Sequence, residues 1–290
     1  DFGGNKVWDG ILFLAQGKFL NYWRFNTLLA YNPETISKIL TRGGPLVKVP
    51  YGYEMNLGFS SDNRKPIIFS VSSGLYRRPS IGTYSLSESL GLRWKPRSNF
   101  SLSVSPGYSE YLTEYQWVRR VVEPLMTETF GTRYVFARLF QRLLSAEIRF
   151  NWIFTPKLSL QAYLQPFLAV GEYSRFKELS RSRSNDYLIY EESEATISLI
   201  EEVYSIDPDG EGPASSFSFY NPDFNYKSLR GTIVLRWEYH PGSSLYLVWT
   251  QKRSDFSNPG EFSLKRDLSS LFSASGDNVF LLKLTYRWNM

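Results

Sequence analysis

Apolar and polar residues alternate along most of this chain, in runs too regular for loops. In residues 278–288, Phe280, Leu282, Leu284, Tyr286 and Trp288 share one phase. Lys283, Thr285 and Arg287 share the other, below Val279 and Leu281. Successive strand side chains point to opposite faces, so this segment predicts a strand with one apolar face and one wet face. The same rhythm places Tyr51, Tyr53, Met55, Leu57 and Phe59 against Gly52, Glu54, Asn56, Gly58 and Ser60. It returns in 83–94, where Glu88 falls on the apolar side and breaks the pattern, in 99–112, in the second half of a long strand over 133–153, and in 158–171 and 228–240. With strands over 7–19, 24–31, 66–76 and 244–252, the count is about eleven, and the last strand of the chain is about as long as a tilted bilayer-spanning strand needs to be.

The connections have their own pattern. Those at 20–23, 61–65, 95–98, 154–157 and 241–243 are short. Those at 32–50, 113–132, 172–227 and 253–277 are long. Five of the eight tryptophans, Trp23, Trp94, Trp152, Trp237 and Trp288, sit in or beside the short turns or at the C-terminus. Alternation alone also fits a soluble β-sandwich, whose apolar faces meet in a core. Loops that are short on one side and long on the other, with aromatics gathered at the short side, point instead to a membrane barrel with interfacial aromatic girdles.

The predicted fold is therefore all-β: an antiparallel transmembrane β-barrel over 1–290, with short periplasmic turns and long extracellular loops. The longest loop is 172–227. The expected location is a bacterial outer membrane of the Gram-negative type, with outer-membrane lipid as the first partner. An odd strand count conflicts with the even counts of bacterial single-chain barrels. An open edge of unpaired amides in lipid is also too costly to survive. The chain is thus expected to be the C-terminal part of a larger barrel, with upstream strands or a partner chain pairing with its first strand. A second possibility is a strand hidden in 172–227, where Tyr187-Leu188-Ile189-Tyr190 is the candidate. The opening residues Asp1-Phe2-Gly3-Gly4 are not a signal peptide, so a leader is expected to have been cleaved or to lie upstream.

Composition sharpens this reading. The mean hydropathy of −0.29 would suggest a soluble protein, but a barrel escapes that average because half of each strand is polar. No apolar run is long enough for a transmembrane helix. The chain lacks cysteine, which removes disulfides, thiolate metal sites and cysteine nucleophiles. A single histidine, His240, excludes His-rich zinc or iron sites. The net charge of +5 is modest and spread along the chain, so no nucleic-acid partner is expected.

Several motifs together resemble a known family. They are Thr41-Arg42-Gly43-Gly44-Pro45, Arg133-Tyr134-Val135-Phe136-Ala137, Gln165-Pro166-Phe167, and above all Asn221-Pro222-Asp223-Phe224-Asn225-Tyr226-Lys227-Ser228-Leu229-Arg230-Gly231. Leu235-Arg236-Trp237-Glu238-Tyr239 and Pro241-Gly242-Ser243 follow. In order and content they resemble the C-terminal barrel domain of bacterial outer-membrane proteins that carry an N-terminal carbohydrate-binding-family-nine-like β-sandwich. The resemblance implies a larger parent with a signal peptide, a sandwich domain and earlier strands. The function of that barrel domain is unknown, so no catalytic residue carries over. The ending Trp288-Asn289-Met290 departs from a terminal aromatic.

Four sets of residues are candidate sites. Asp207, Asp209 and Glu211, with Gly212 beyond, have the spacing of the first half of an EF-hand-like calcium loop, to which Glu201 and Glu202 could add carboxylates. Position twelve is Ser218, and a solvated acidic turn reads the same way. The charges Glu54, Arg93, Glu147, Arg149, Arg230, Arg236, Glu238, Lys283 and Arg287 fall on the polar, lumen-facing phase. They could select anionic solutes, or form an arginine–carboxylate network that braces the barrel. His240 with Ser228 or Ser244 lacks the spacing of a triad. Asp186, Glu191, Glu192, Glu194, Glu201 and Glu202 suggest paired glycosidase carboxylates, but read more simply as a charged loop. No enzyme activity and no cofactor beyond calcium are expected. The expected function is a pore, or a membrane anchor or scaffold for a soluble domain or for protein subunits of an outer-membrane complex. The alternative is a surface receptor that holds glycan or protein in its loops.

Overall fold

The computed structural model describes residues 1–257 and 259–288. The chain runs through β1 (Ile11–Lys18), β2 (Arg24–Asn32), the short hairpin β3 (Thr35–Ser37) and β4 (Val47–Val49), then β5 (Gly52–Ser60), β6 (Ile67–Arg78), β7 (Thr83–Arg97), β8 (Phe100–Val122), β9 (Thr132–Thr155) and β10 (Leu158–Leu179). After these come β11 (Tyr187–Ile189), β12 (Thr196–Ile200), β13 (Val203–Asp207) and β14 (Phe217–Tyr220), then β15 (Phe224–His240), β16 (Ser243–Asp255), helix α1 (Leu264–Ser273) and β17 (Gly276–Thr285). One antiparallel sheet takes the order β1-β2-β5-β6-β7-β8-β9-β10-β15-β16-β17, with β11 added beside β10.

The register aligns the apolar phases of neighbouring strands. One row runs Ile67, Trp94, Leu102, Phe150, Ala162, Ile233, Trp249 and Phe280. A second runs Leu160, Leu235, Leu247 and Leu282, and a third runs Phe25, Phe59, Val71 and Leu90. This face is open: Leu90 is 58 % exposed, Trp237 49 % and Leu282 66 %. A water-soluble monomer rarely shows an apolar patch beyond a few hundred Å², and this one crosses the whole sheet. The opposite face carries Ser, Gly, Asn, Thr and the charges. Among the described residues no helix is long and apolar enough to cross a membrane.

The described residues form no closed barrel by themselves. Among the described residues the sheet is open, with β1 and β17 as edges that do not pair with each other. The structure corrects the long loops. β8 runs on to Val122 and β9 begins at Thr132, so the expected loop 113–132 shrinks to 123–131. The expected loop 172–227 holds the end of β10, the strand β11 at Tyr187, and a small sheet β12-β13-β14. The 253–277 connection folds into α1.

The reason is burial on both faces. The 24 residues of β9 span roughly 75–80 Å, far more than a membrane crossing, and the upper part stands above the apolar band. There Tyr134, Val135, Phe136 and Ala137 are all buried. Val135 and Ala137 join Phe176, Tyr190, Ile206 and Phe217 under the small sheet. Tyr134 and Phe136 join Val47 and Leu179 against the β3–β4 hairpin. With both sides apolar, the alternation that marks a strand disappears. Irregularities add to this. A bulge between Ser174 and Lys177, with Arg175 in the left-handed region at φ 48°, shifts the phase of β10, and β8 is irregular between Thr113 and Gln116.

Candidate functional site at the long-connection end

The upper ends of β8, β9 and β10 carry charged groups inside this packed cap. Arg133, only 4 % exposed, donates through Nη1 to both Glu178 oxygens at 2.6 Å, and the Tyr190 hydroxyl donates to Glu178 Oε2 at 3.0 Å. Burial, and then the Glu178 charge, push the Tyr190 hydroxyl above its ordinary range. Beside this group, Glu114 accepts from Lys177 Nζ and from Arg138 Nε, both at 2.5 Å. Buried ions need this complementarity, because removing either partner leaves an uncompensated charge. The networks fix how the cap sits on the sheet. Sequence reading met Arg133 in a family motif and Tyr190 in a candidate strand, and did not single out Glu114, Arg138, Lys177 or Glu178, because a buried ion pair leaves no periodic mark.

Strand register places several charges of the polar phase opposite one another or opposite small polar residues. Arg93 lies opposite Ser103, Ser103 opposite Arg149, and Arg149 opposite Tyr163. Arg93, Arg149 and Glu147 line one cavity of about 350 Å³. Arg149 Nε pairs with Glu147 Oε1 at 2.8 Å, and Arg236 with Glu238 at 3.0 Å. Glu54 accepts from Asn56 Nδ2 at 2.8 Å. Lys283 Nζ stands 5.9 Å from the centre of the Tyr246 ring, and the Arg287 amide donates to Ser243 Oγ. Arg230 lies opposite Lys252. Paired and unpaired charges therefore occur side by side in this phase, with cations in excess.

The tryptophans Trp94, Trp152 and Trp237 stand on β7, β9 and β15 near the short turns, and Trp23 precedes β2. Trp288 follows β17 at the same end of the sheet. Trp23 packs on Phe59, Trp94 on Phe100 and Trp152 on Phe154.

The remaining candidates do not assemble. Asp209 Oδ2 accepts from the Ala214 amide at 2.9 Å, closing an acidic turn, and Glu211 is exposed. Glu201 and Glu202 form the tip of the β12–β13 hairpin, and Glu202 holds Asn221 Nδ2 at 2.9 Å. Among the described residues no three His, Asp or Glu side chains converge as a metal site. Asp186 pairs with Arg181 at 2.6 Å and Glu192 with Arg175 at 2.7 Å, each apart from the other. His240 is exposed beside the β15–β16 turn and lies opposite Ser243. Ser228 lies twelve positions up the same strand, about 40 Å away along its axis.

The motif around Asn221–Lys227 has a structural role. Lys227 is fully buried, and its Nζ bonds Asp255 Oδ2 at 2.9 Å, Asn225 Oδ1 at 2.8 Å and the Ser257 carbonyl at 2.6 Å. Asn225 Nδ2 in turn donates to the Pro259 carbonyl and to Asp267 Oδ1. This chain of bonds clamps α1 over Leu168 and Leu229, which pack against Leu271. Asp223 accepts from the Tyr173 amide at 2.6 Å, and burial holds its carboxyl above the usual range.

Fold and site define an all-β protein built on one antiparallel sheet, with an open apolar face, a polar charged face and a packed cap at the long-connection end. The model of the family described as Domain of unknown function (DUF5916) matches residues 12–288, and the chain belongs to that family. No curated protein matches it. Among solved structures it is similar to the siderophore receptor PiuA from Acinetobacter baumannii, at 9 % identity and a TM-score of 0.48. That alignment covers 96 % of this chain and 44 % of that chain, so this chain spans less than half the receptor's length.

Proposed function

We propose that the chain forms part of the wall of an outer-membrane β-barrel, serving as a pore or as a membrane anchor that carries the cap outside the bilayer. One observation supports this above the rest: an exposed apolar band that crosses the sheet in register. Lipid is the solvent that makes such a face favourable, and tryptophans at the short-turn end suit the headgroup boundary. What the wall would anchor is a soluble domain, such as the carbohydrate-binding-family-nine-like sandwich implied by the resemblance, or partner subunits. Calcium in the acidic turn plays no part in this reading.

The test is quenching by lipids brominated on their acyl chains, in reconstituted vesicles. Trp249, in the middle of the band opposite Phe280, should be quenched. Trp117, in the cap, should not. Equal quenching of both, or a monodisperse protein in water without detergent, would refute the reading. Conductance in a planar bilayer then separates pore from anchor. A second reading, a surface receptor, is supported by a cavity at the cap, taken up next.

A further inference from the structure

The cap holds a cavity of about 640 Å³, between residues 35–40 of the β3 hairpin and the upper ends of β6, β7 and β8. Its size suits a small organic molecule. Aromatic side chains form much of its wall: Tyr76, Tyr111, Tyr115 and Trp117. Among the described residues, three cations, Lys38, Arg42 and Arg78, line it, and no acidic side chain does.

The two arginines are held in an unusual way. The Arg42 guanidinium lies 5.3 Å from the Trp117 ring centre, and that of Arg78 lies 5.3 Å from the Tyr76 ring centre. A guanidinium beside an aromatic ring has further donors that can reach a bound acceptor. Among the described residues, Arg78 Nη1 is buried with no hydrogen-bond partner. A buried donor left unpaired costs free energy, so an acceptor at that point is favoured. Lys38 is already engaged by Asp1 at 3.8 Å and contributes less.

The walls are fixed. Leu40 packs against the buried cluster of Val47, Tyr134, Phe136 and Leu179, together with Tyr115 and Trp117. The Lys48 amide donates to the Ser184 carbonyl at 2.9 Å, and Thr41 Oγ1 donates to the Pro45 carbonyl at 2.8 Å. Arg42 sits in the left-handed region at φ 51°, with its amide bonded to the Ile39 carbonyl. A preformed cavity loses little entropy when it is filled.

We propose that this cavity is a binding site for a small organic anion, a phosphate- or carboxylate-bearing molecule with a flat ring or sugar body. The anionic group is held between the Arg78 and Arg42 guanidinium groups, and the body lies on Trp117 and the tyrosines. The proposal deepens the receptor reading by naming a ligand class. Binding by purified protein in neutral detergent does not depend on the orientation of the sheet in a membrane, so the two can fail separately.

The experiment is calorimetric titration of the full chain in an uncharged detergent with phenyl phosphate, phenylacetate, inorganic phosphate and neutral phenyl glucoside. Phenyl phosphate or phenylacetate should bind more tightly than both inorganic phosphate and the glucoside, and more weakly as salt rises. The stronger of the two identifies the preferred acid. Arg78→Met should weaken binding about tenfold or more, as loss of a charge-assisted bond does, and Arg78→Lys should recover part of it. Arg42→Met, on an exposed loop, gives a second variant should Arg78→Met fail to fold, and should also weaken binding several-fold. The proposal is overturned if neither acid binds at about 10 mM, if the glucoside binds equally well, or if folded arginine variants bind as the wild type does.

Discussion

Replacing Lys227 with methionine tests the clamp under α1. The wild-type ammonium is fully buried and bonds Asp255, Asn225 and the Ser257 carbonyl. Methionine fills nearly the same volume but supplies no donor. Asn225 and the Ser257 carbonyl lose a partner, and Asp255 loses its counter-charge. Breaking a buried pair in this way costs about 3–5 kcal/mol. Asp255 keeps 20 % exposure and two contacts from Ser257 Oγ, so the lower end, about 3 kcal/mol, is expected. That raises the population of a locally opened 256–275 connection about a hundredfold. Hydrogen exchange of the α1 amides, read by mass spectrometry in detergent, should accelerate by that factor while β5 to β7 stay unchanged. Trypsin should reach Lys265 and Arg266 sooner. Lys227→Met with Asp255→Leu should recover most of the loss, because no charge is then stranded. Exchange within twofold of wild type in the single variant would refute the clamp.

Three further outcomes are expected. Glu201 and Glu202 both hold positive φ, 50° and 62°, at a two-residue hairpin tip that favours asparagine and glycine. Glu201→Asn should therefore stabilise that hairpin by about 0.5–1 kcal/mol, read as slower exchange of the β12 and β13 amides. Phe136→Ala should destabilise the cap by about 3–5 kcal/mol, read as faster exchange in β3, β4 and β11 with the lower half of β9 unaffected. In the β5–β6 turn, hydrogen bonding from Arg64 holds the Asp62 carboxyl down at about 2, from an ordinary 3.8. Its folded value is depressed, so its contribution to stability is present above pH 3.8 and is lost as pH falls through about 2. Carboxyl-carbon NMR should show the midpoint near 2, and Arg64→Ala should move it up toward 3.8.

The sequence made the apolar band legible and the cap illegible for one physical reason. Alternation survives where one face meets apolar surroundings and the other meets water, as along Tyr53, Met55, Leu57 and Phe59. At Tyr134–Ala137 both faces are apolar, so the pattern dissolves and only the second half of that strand shows the alternation. Bulges such as the one at Arg175 also switch the phase in mid-strand. The acidic spacing of Asp207, Asp209 and Glu211 was legible, but spacing does not show that Asp209 Oδ2 accepts from the Ala214 amide of its own turn. The cavity between Arg42 and Arg78 joins residues from separate connections and strands, which periodicity within one segment cannot bring together. The motif Asn225-Tyr226-Lys227 stood out as a marker of kinship, and its bonds to Asp255 and Asp267 show why those residues are specified.

The open sheet carries a rule about what can complete it. β1 leads into a short turn and β17 ends beside the short turns, so both edges travel in the same direction. Brought together, they would form a parallel seam. A second copy turned about the membrane normal would offer the same direction again and create two such seams. A cylinder in which every neighbour runs antiparallel needs an odd number of added strands, the first and last of them running toward the long-connection end.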